Sequence, residues 1–121
     1  YRLACAFFHA QYPDRRFRAL TCGSWLLDPQ LQRLLPASAN IVRFQAGFHL
    51  YPVLSDDYQI FECVYDNKRP ENLHALPANT YLRRSVREFM LQGGQLHAGG
   101  GFVLLDHSDD GLAVWPRVPI R

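Results

Sequence analysis

The sequence has little of what marks several common protein classes. Its three cysteines, Cys5, Cys22 and Cys63, are odd in number, widely spaced and without a C-x-x-C pair. That pattern argues against a disulfide framework or a zinc ribbon and points to a reducing cytoplasm. No apolar run approaches the roughly 20 residues that a membrane-spanning helix needs, and no stretch reads as a basic-then-apolar leader. Charge of one sign is scarce too: 13 Lys and Arg stand against 11 Asp and Glu, a formal net charge of +2. A nucleic-acid or membrane surface clusters Lys and Arg, so no such partner is expected. His9, His49, His74, His97 and His107 show neither H-x-x-x-H nor H-E-x-x-H spacing, and no metal is expected. Internal repeats and low-complexity segments are absent.

What is there suits one domain with one core: 121 residues, 48% hydrophobic and 13% aromatic. Leu3, Phe7 and Ala10 fall on one helical face, with Ala4 and Phe8 beside it and no cap in front. The chain therefore reads as starting inside a helix, and the expectation is a C-terminal part of a longer polypeptide. After the turn-rich QYPDRR, residues 17–22 (FRALTC) read as a short strand. Asp28 then precedes Pro29, an N-cap followed by proline at the first helical position, and Leu31, Leu34 and Leu35 give a helical stripe that Pro36 stops.

Residues 38–54 fit two templates, because Val42, Phe44, Ala46, Phe48 and Leu50 alternate like a strand while Ile41, Phe44 and Phe48 space like a helix. Residues 58–66 (YQIFECVYD), aromatic and β-branched after a polar turn, read as a buried strand. A helix follows, capped by Asn79 or Thr80, apolar at Leu82, Val86, Phe89 and Met90, and stopped by Gly93 and Gly94. Residues 95–106 form a glycine-interrupted strand, and 111–118 a last extended piece confined to an edge by Pro116 and Pro119. This order implies an α/β domain with a mixed sheet flanked by helices, and a ligand near the carboxyl ends of its strands.

Three strings, GSWLLDPQLQRLLP, SANIVRFQAGF and LPANTYLRRSVREFMLQGGQLHAGGGFVLL, resemble the GNAT-like C-terminal domain of bacterial two-domain acyltransferases, over roughly residues 3–106. The resemblance implies a single GNAT-like domain spanning 1–121, preceded in the full protein by an N-terminal domain that is also its partner. It favours helix for 38–47 and strand for about 48–54. It further implies acyl-CoA or acetyl-CoA as cofactor, lying where two neighbouring parallel strands splay, with the pyrophosphate on helix N-terminal amides. Cys22, Gly23, Ser24 and Trp25 would form that wall beside residues 17–35, although the GNAT pattern Gln/Arg-x-x-Gly-x-Gly/Ala is missing and only Gly23 lies in the turn. The structural reading of the same turn makes Asp28 a cap and Trp25 a core plug.

Acyl transfer to an amine needs a base, and Glu62 is the candidate, because a half-buried carboxylate has its pKa raised toward that range. The plain alternative turns Glu62 outward. Tyr65, like Tyr58 and Tyr81, is a candidate acid for the departing thiolate. Arg83, Arg84 and Arg87 suit a phosphate or carboxylate but read more simply as a solvated helix face. The run QGGQLHAGGG follows a helix and precedes a strand, the reverse of a phosphate loop, and reads as a helix stop plus a close backbone approach. Cys22 reads as a structural thiol. The expected function is an acyl-CoA-dependent N-acyltransferase acting on a small-molecule amine. The alternative is an inert GNAT-like module that binds a ligand or stabilises its partner domain.

Overall fold

The alternating apolar strings meet at one central strand. The structure, a computed structural model, describes residues 2–66, 69–106 and 113–114. In chain order its elements are α1 (Arg2–Gln11), β1 (Ala19–Ser24), a 3-10 turn (Trp25–Leu27), α2 (Leu31–Leu34), α3 (Asn40–Gln45) and β2 (His49–Pro52). There follow α4 (Tyr58–Tyr65), a second 3-10 turn (Leu73–Ala75), α5 (Tyr81–Leu91), β3 (Gly99–Asp106) and β4 (Ala113–Val114). β3 lies between β1 and β2 and pairs antiparallel with both, from Ser24 opposite Gly99 to Ala19 opposite Leu104, and from Pro52 opposite Gly99 to His49 opposite Phe102. Of the extended piece expected at 111–118, residues 113–114 are described, and they pair antiparallel with Leu105 and Asp106.

The α/β class with helices around a sheet is as expected, but one detail is corrected. The strand beside β1 runs antiparallel to it, so among the described residues the parallel neighbour expected next to residues 17–35 is not found. β1 and β2 do share a direction, with β3 interposed. Their carboxyl ends and the start of β3 consequently meet at one end of the sheet.

Residues directly opposite in a ladder share a face. Leu20, Cys22, Val103 and Leu50 occupy one face, where Leu27, Phe48 and Val103 are buried with Cys22 and Leu50 against them. On the other, the Phe102 ring stacks on His49 at 5.0 Å and lies 6.3 Å from Tyr51. Gly99 is where the chain needs glycine: a Cβ there would meet the Leu27 carbonyl oxygen at 2.1 Å. The glycine run is thus the close backbone approach expected of it.

The larger core joins helices: Leu31, Leu35, Ile60, Phe61, Val64, Tyr65, Leu76, Val86, Met90 and Leu96 are buried together. Each such side chain contributes about 1.5–3 kcal/mol over an exposed one. Here the second correction falls. Residues 58–65 are helix α4, not a strand, and Ile60, Phe61, Val64 and Tyr65 share its buried stripe. Packing of that stripe outweighs β propensity, which is itself largely a measure of packing context.

Helix α5 is as the sequence reads: Thr80 Oγ1 accepts from Arg83 N at 3.2 Å, Val86 and Met90 are buried, and Gly93 takes φ 86° after the last turn. The ambiguous 38–54 segment resolves into α3 followed by β2. Helix α1 forms, but Leu3 (88% exposed) and Phe7 (58%) face outward while Cys5 is the buried residue.

Candidate functional site

At the end of the sheet where β1 and β2 finish, the chain builds a polar knot beneath an apolar pocket. Asp28 follows the 3-10 turn and is only 2% exposed. Its Oδ1 accepts from Gln30 N at 3.0 Å, so it caps the turn into α2, while its Oδ2 accepts from Gln30 Nε2 at 3.2 Å and from His97 N at 2.8 Å. The same carboxylate therefore holds the turn that leads into α2, whose N-cap is Gln30 and not the Asp28 expected, and it fixes the approach to β3. Gln45, fully buried at the end of α3, donates its Nε2 to the Leu26 and Asp28 carbonyls at 2.7 and 2.8 Å.

Beyond Pro52 the β2 chain leaves the ladder. Ser55 returns to β3, its Oγ accepting from Ala98 N at 2.9 Å and donating to Ala98 O at 3.1 Å, and its carbonyl lies 3.0 Å from His97 Nδ1. Val53 and Leu54 are left to bow outward, and Leu54 is fully exposed. Under this bow lies a pocket of about 330 Å³, walled by Pro29, Leu50, Tyr51 and Val53, with Asp28, Gln30 and His97 as its polar residues. A few fixed polar groups in an apolar cleft are the usual makeup of a small-molecule site, and its place at strand carboxyl ends is the one expected. A second pocket, of about 260 Å³, lies between α1 and the sheet, where Cys5, Phe8, Phe17 and Leu105 line it.

The residues singled out from sequence lie elsewhere. Ser24 Oγ accepts from Leu26 N at 3.2 Å and Gln59 Oε1 accepts from Trp25 N at 2.9 Å, so the amides expected to meet a phosphate are engaged within the chain. Cys22 and Gly23 are ladder residues of β1. Trp25 packs against the helical core. Glu62 sits on the exposed side of helix α4 rather than on a strand, and its Oε1 accepts from the Tyr58 hydroxyl at 3.1 Å. That pairing, with the negative carboxylate beside it, raises the Tyr58 phenol above its ordinary value.

Tyr65 is buried and its hydroxyl donates to Arg83 O at 2.8 Å. Burial pushes its phenol up to about 12, against the opposing pull of Arg87 and Arg83. The arginines of α5 reach carbonyls, and Arg83 Nη2 also pairs with Asp66 Oδ2 at 3.3 Å. Arg83 Nε donates to Val64 O at 2.8 Å, Arg87 to Leu76 O at 3.0 Å and Arg84 to Ala78 O at 3.2 Å. Among the described residues no three His, Cys, Asp or Glu side chains gather as metal ligands, and no helix is long and apolar enough to cross a membrane.

Sequence reasoning passed over His97 and Ser55. Their only local signal is a histidine just before a glycine run, and their contact spans 42 residues of chain.

The sequence model of the GNAT-like C-terminal domain matches residues 1–103. This chain belongs to that family. Among solved structures, an acyltransferase in complex with decanoyl-CoA and teicoplanin is similar to this GNAT-like domain with TM-score 0.73 and 28% identity, over 85% of this chain and 33% of its own. An acyltransferase mutant in complex with octanoyl-CoA gives 0.74 and 29%, over 87% and 34%. An acyltransferase in complex with decanoyl-CoA gives 0.70 and 31%, over 84% and 32%. The chain spans about a third of the length of these structures. No curated protein matches it.

Proposed function

We propose that this GNAT-like domain is part of an acyltransferase that moves an acyl group from an acyl-CoA thioester to the amine of a small molecule. The observation that carries the reading is the likeness to acyl-CoA-bound acyltransferases over 84–87% of the chain. The pocket under the Val53–Leu54 bow supports it, because an apolar cleft with Asp28 and His97 at its wall suits an acyl chain and thioester next to a polar acceptor. The enzyme supplies proximity: holding amine and thioester in one cleft replaces a bimolecular encounter. The free thiols of Cys5, Cys22 and Cys63 fit a reducing cytoplasm. An N-terminal domain of the longer protein would complete the acceptor side.

A second reading, a GNAT-like module without catalysis, is favoured by one observation. The amides of Trp25 and Leu26 are already occupied at the turn where the fold's pyrophosphate pattern is missing. Calorimetric titration of the full-length protein with octanoyl-CoA and decanoyl-CoA, paired with thiol release, separates the two. A ligand that binds only the folded state stabilises it by about 2.7 kcal/mol at a hundredfold excess over Kd. Binding with turnover supports acyl transfer, binding without turnover supports the inert module, and no binding rejects both as acyl-CoA proteins.

A further inference from the structure

We infer that His97 is the general base of acyl transfer in this domain, a role that rests on the acyl-CoA reading above. The ring's tautomer is set by its neighbour. A backbone carbonyl only accepts, so with Nδ1 3.0 Å from Ser55 O the proton is on Nδ1, and the lone pair of the neutral ring is on Nε2. Nε2 has no hydrogen-bond partner among the described residues. The residue is half-buried and lines the 330 Å³ pocket.

Its backbone is fixed from both sides, by Asp28 Oδ2 on its own N–H at 2.8 Å and by Ser55 Oγ on the next N–H at 2.9 Å. A base held at its main chain and oriented through its far nitrogen is pre-organised to take a proton at the nitrogen left free. The base and the acid expected from the sequence, Glu62 and Tyr65, are placed otherwise. Glu62 is on the exposed face of α4 with Tyr58, and the Tyr65 hydroxyl is committed to Arg83 O.

The step balances without any further reactant. The amine nitrogen attacks the thioester carbonyl carbon, forming the N–C bond, and Nε2 takes the N–H proton as the tetrahedral intermediate develops. The C–S bond then breaks, and the imidazolium returns that proton to the departing thiolate. Amine and thioester become amide and thiol, and His97 ends neutral. Ser55 and Asp28 are positioning residues, since they act through His97.

The test uses the full-length protein, with octanoyl-CoA as donor, ethanolamine and glucosamine as acceptor amines, and thiol release as the readout. H97Q is expected to bind octanoyl-CoA within about twofold of wild type while kcat falls roughly 10²- to 10³-fold. H97A is expected to recover part of that loss on addition of imidazole, in proportion to the free base, which a purely structural histidine does not allow. A measurement on wild type alone accompanies these: diethyl pyrocarbonate modifies His97, and octanoyl-CoA protects it. Wild-type turnover by H97Q, no rescue of H97A, or modification of His97 unaffected by octanoyl-CoA each overturns the assignment while leaving acyl-CoA binding intact. Binding by wild type with no thiol released above the uncatalysed rate overturns it as well. Failure of octanoyl-CoA to bind at all removes the acyl-CoA reading itself.

Discussion

A Gly99→Ala substitution places its Cβ 2.1 Å from the Leu27 carbonyl oxygen, 2.4 Å from the Leu27 carbonyl carbon and 2.9 Å from Asp28 N. All three are backbone atoms, so no side-chain rotamer relieves the clash. Ordinary contact begins at 3.4 Å, and β3 must part from the 3-10 turn by about 1.3 Å, the difference between 3.4 and 2.1 Å. That turn carries Leu27 and Asp28, which are 0% and 2% exposed, so the opening is transmitted to the sheet core and to the pocket wall. Overpacking of this kind costs about 1–3 kcal/mol, and a backbone neighbour puts it at the upper end, near 3 kcal/mol. With a urea dependence of about 2 kcal/mol per molar, the unfolding midpoint falls by roughly 1.5 M. Gly23→Ala is the control, because a Cβ there meets nothing within 4 Å, and its effect is expected to stay under about 0.5 kcal/mol. Circular dichroism in urea reads both. A G99A midpoint equal to that of wild type, or a G23A loss as large as that of G99A, would refute the account of the glycine run.

Three further expectations use the same assay. Asp28→Ala strips acceptors from the Gln30 and His97 amides, and a loss of about 3 kcal/mol is expected; an unchanged midpoint counts against the polar knot. Thr80→Ala removes the cap of α5 and costs about 1 kcal/mol, seen as lost ellipticity and an earlier midpoint. Tyr65 titrates at about 12 in the folded chain against an ordinary 10.0, so the unfolded state ionises first and stability falls as pH rises from 10 toward 12. Tyr65→Phe is expected to lose the Arg83 hydrogen bond at neutral pH but to show a shallower decline across that window, measured as midpoint against pH.

Where a signal was local, the sequence carried it. The Thr80 cap and Gly93 stop bound α5, Asp28 and Pro29 open the turn into α2, and the glycines of β3 mark a close approach. Residues 58–65 read as a strand because aromatic and β-branched residues fill a buried helical stripe as well as a strand, while Gln59, Glu62 and Cys63 between them lie outside that stripe. Arg84 is exposed, as a solvated helix face implies, whereas Arg83 and Arg87 are half-buried, because spacing shows a helix face and not which carbonyls lie within reach of it. His97 was invisible as a site, since Asp28 and Ser55, which hold it, are brought to it by the sheet.

That dependence on the sheet also fixes when the site comes into being. The bond between His97 N and Asp28 joins positions 69 residues apart, and α2, α3, α4 and α5 all lie inside the loop it closes. Helices form from neighbours in sequence, whereas a contact of such span waits for the chain to bring its ends together. The cleft is therefore expected to assemble after the helices that it encloses, together with the still longer-range pairing of β1 with β3, and amide exchange at His97 and Ala98 is expected to run ahead of exchange at Val86 and Met90.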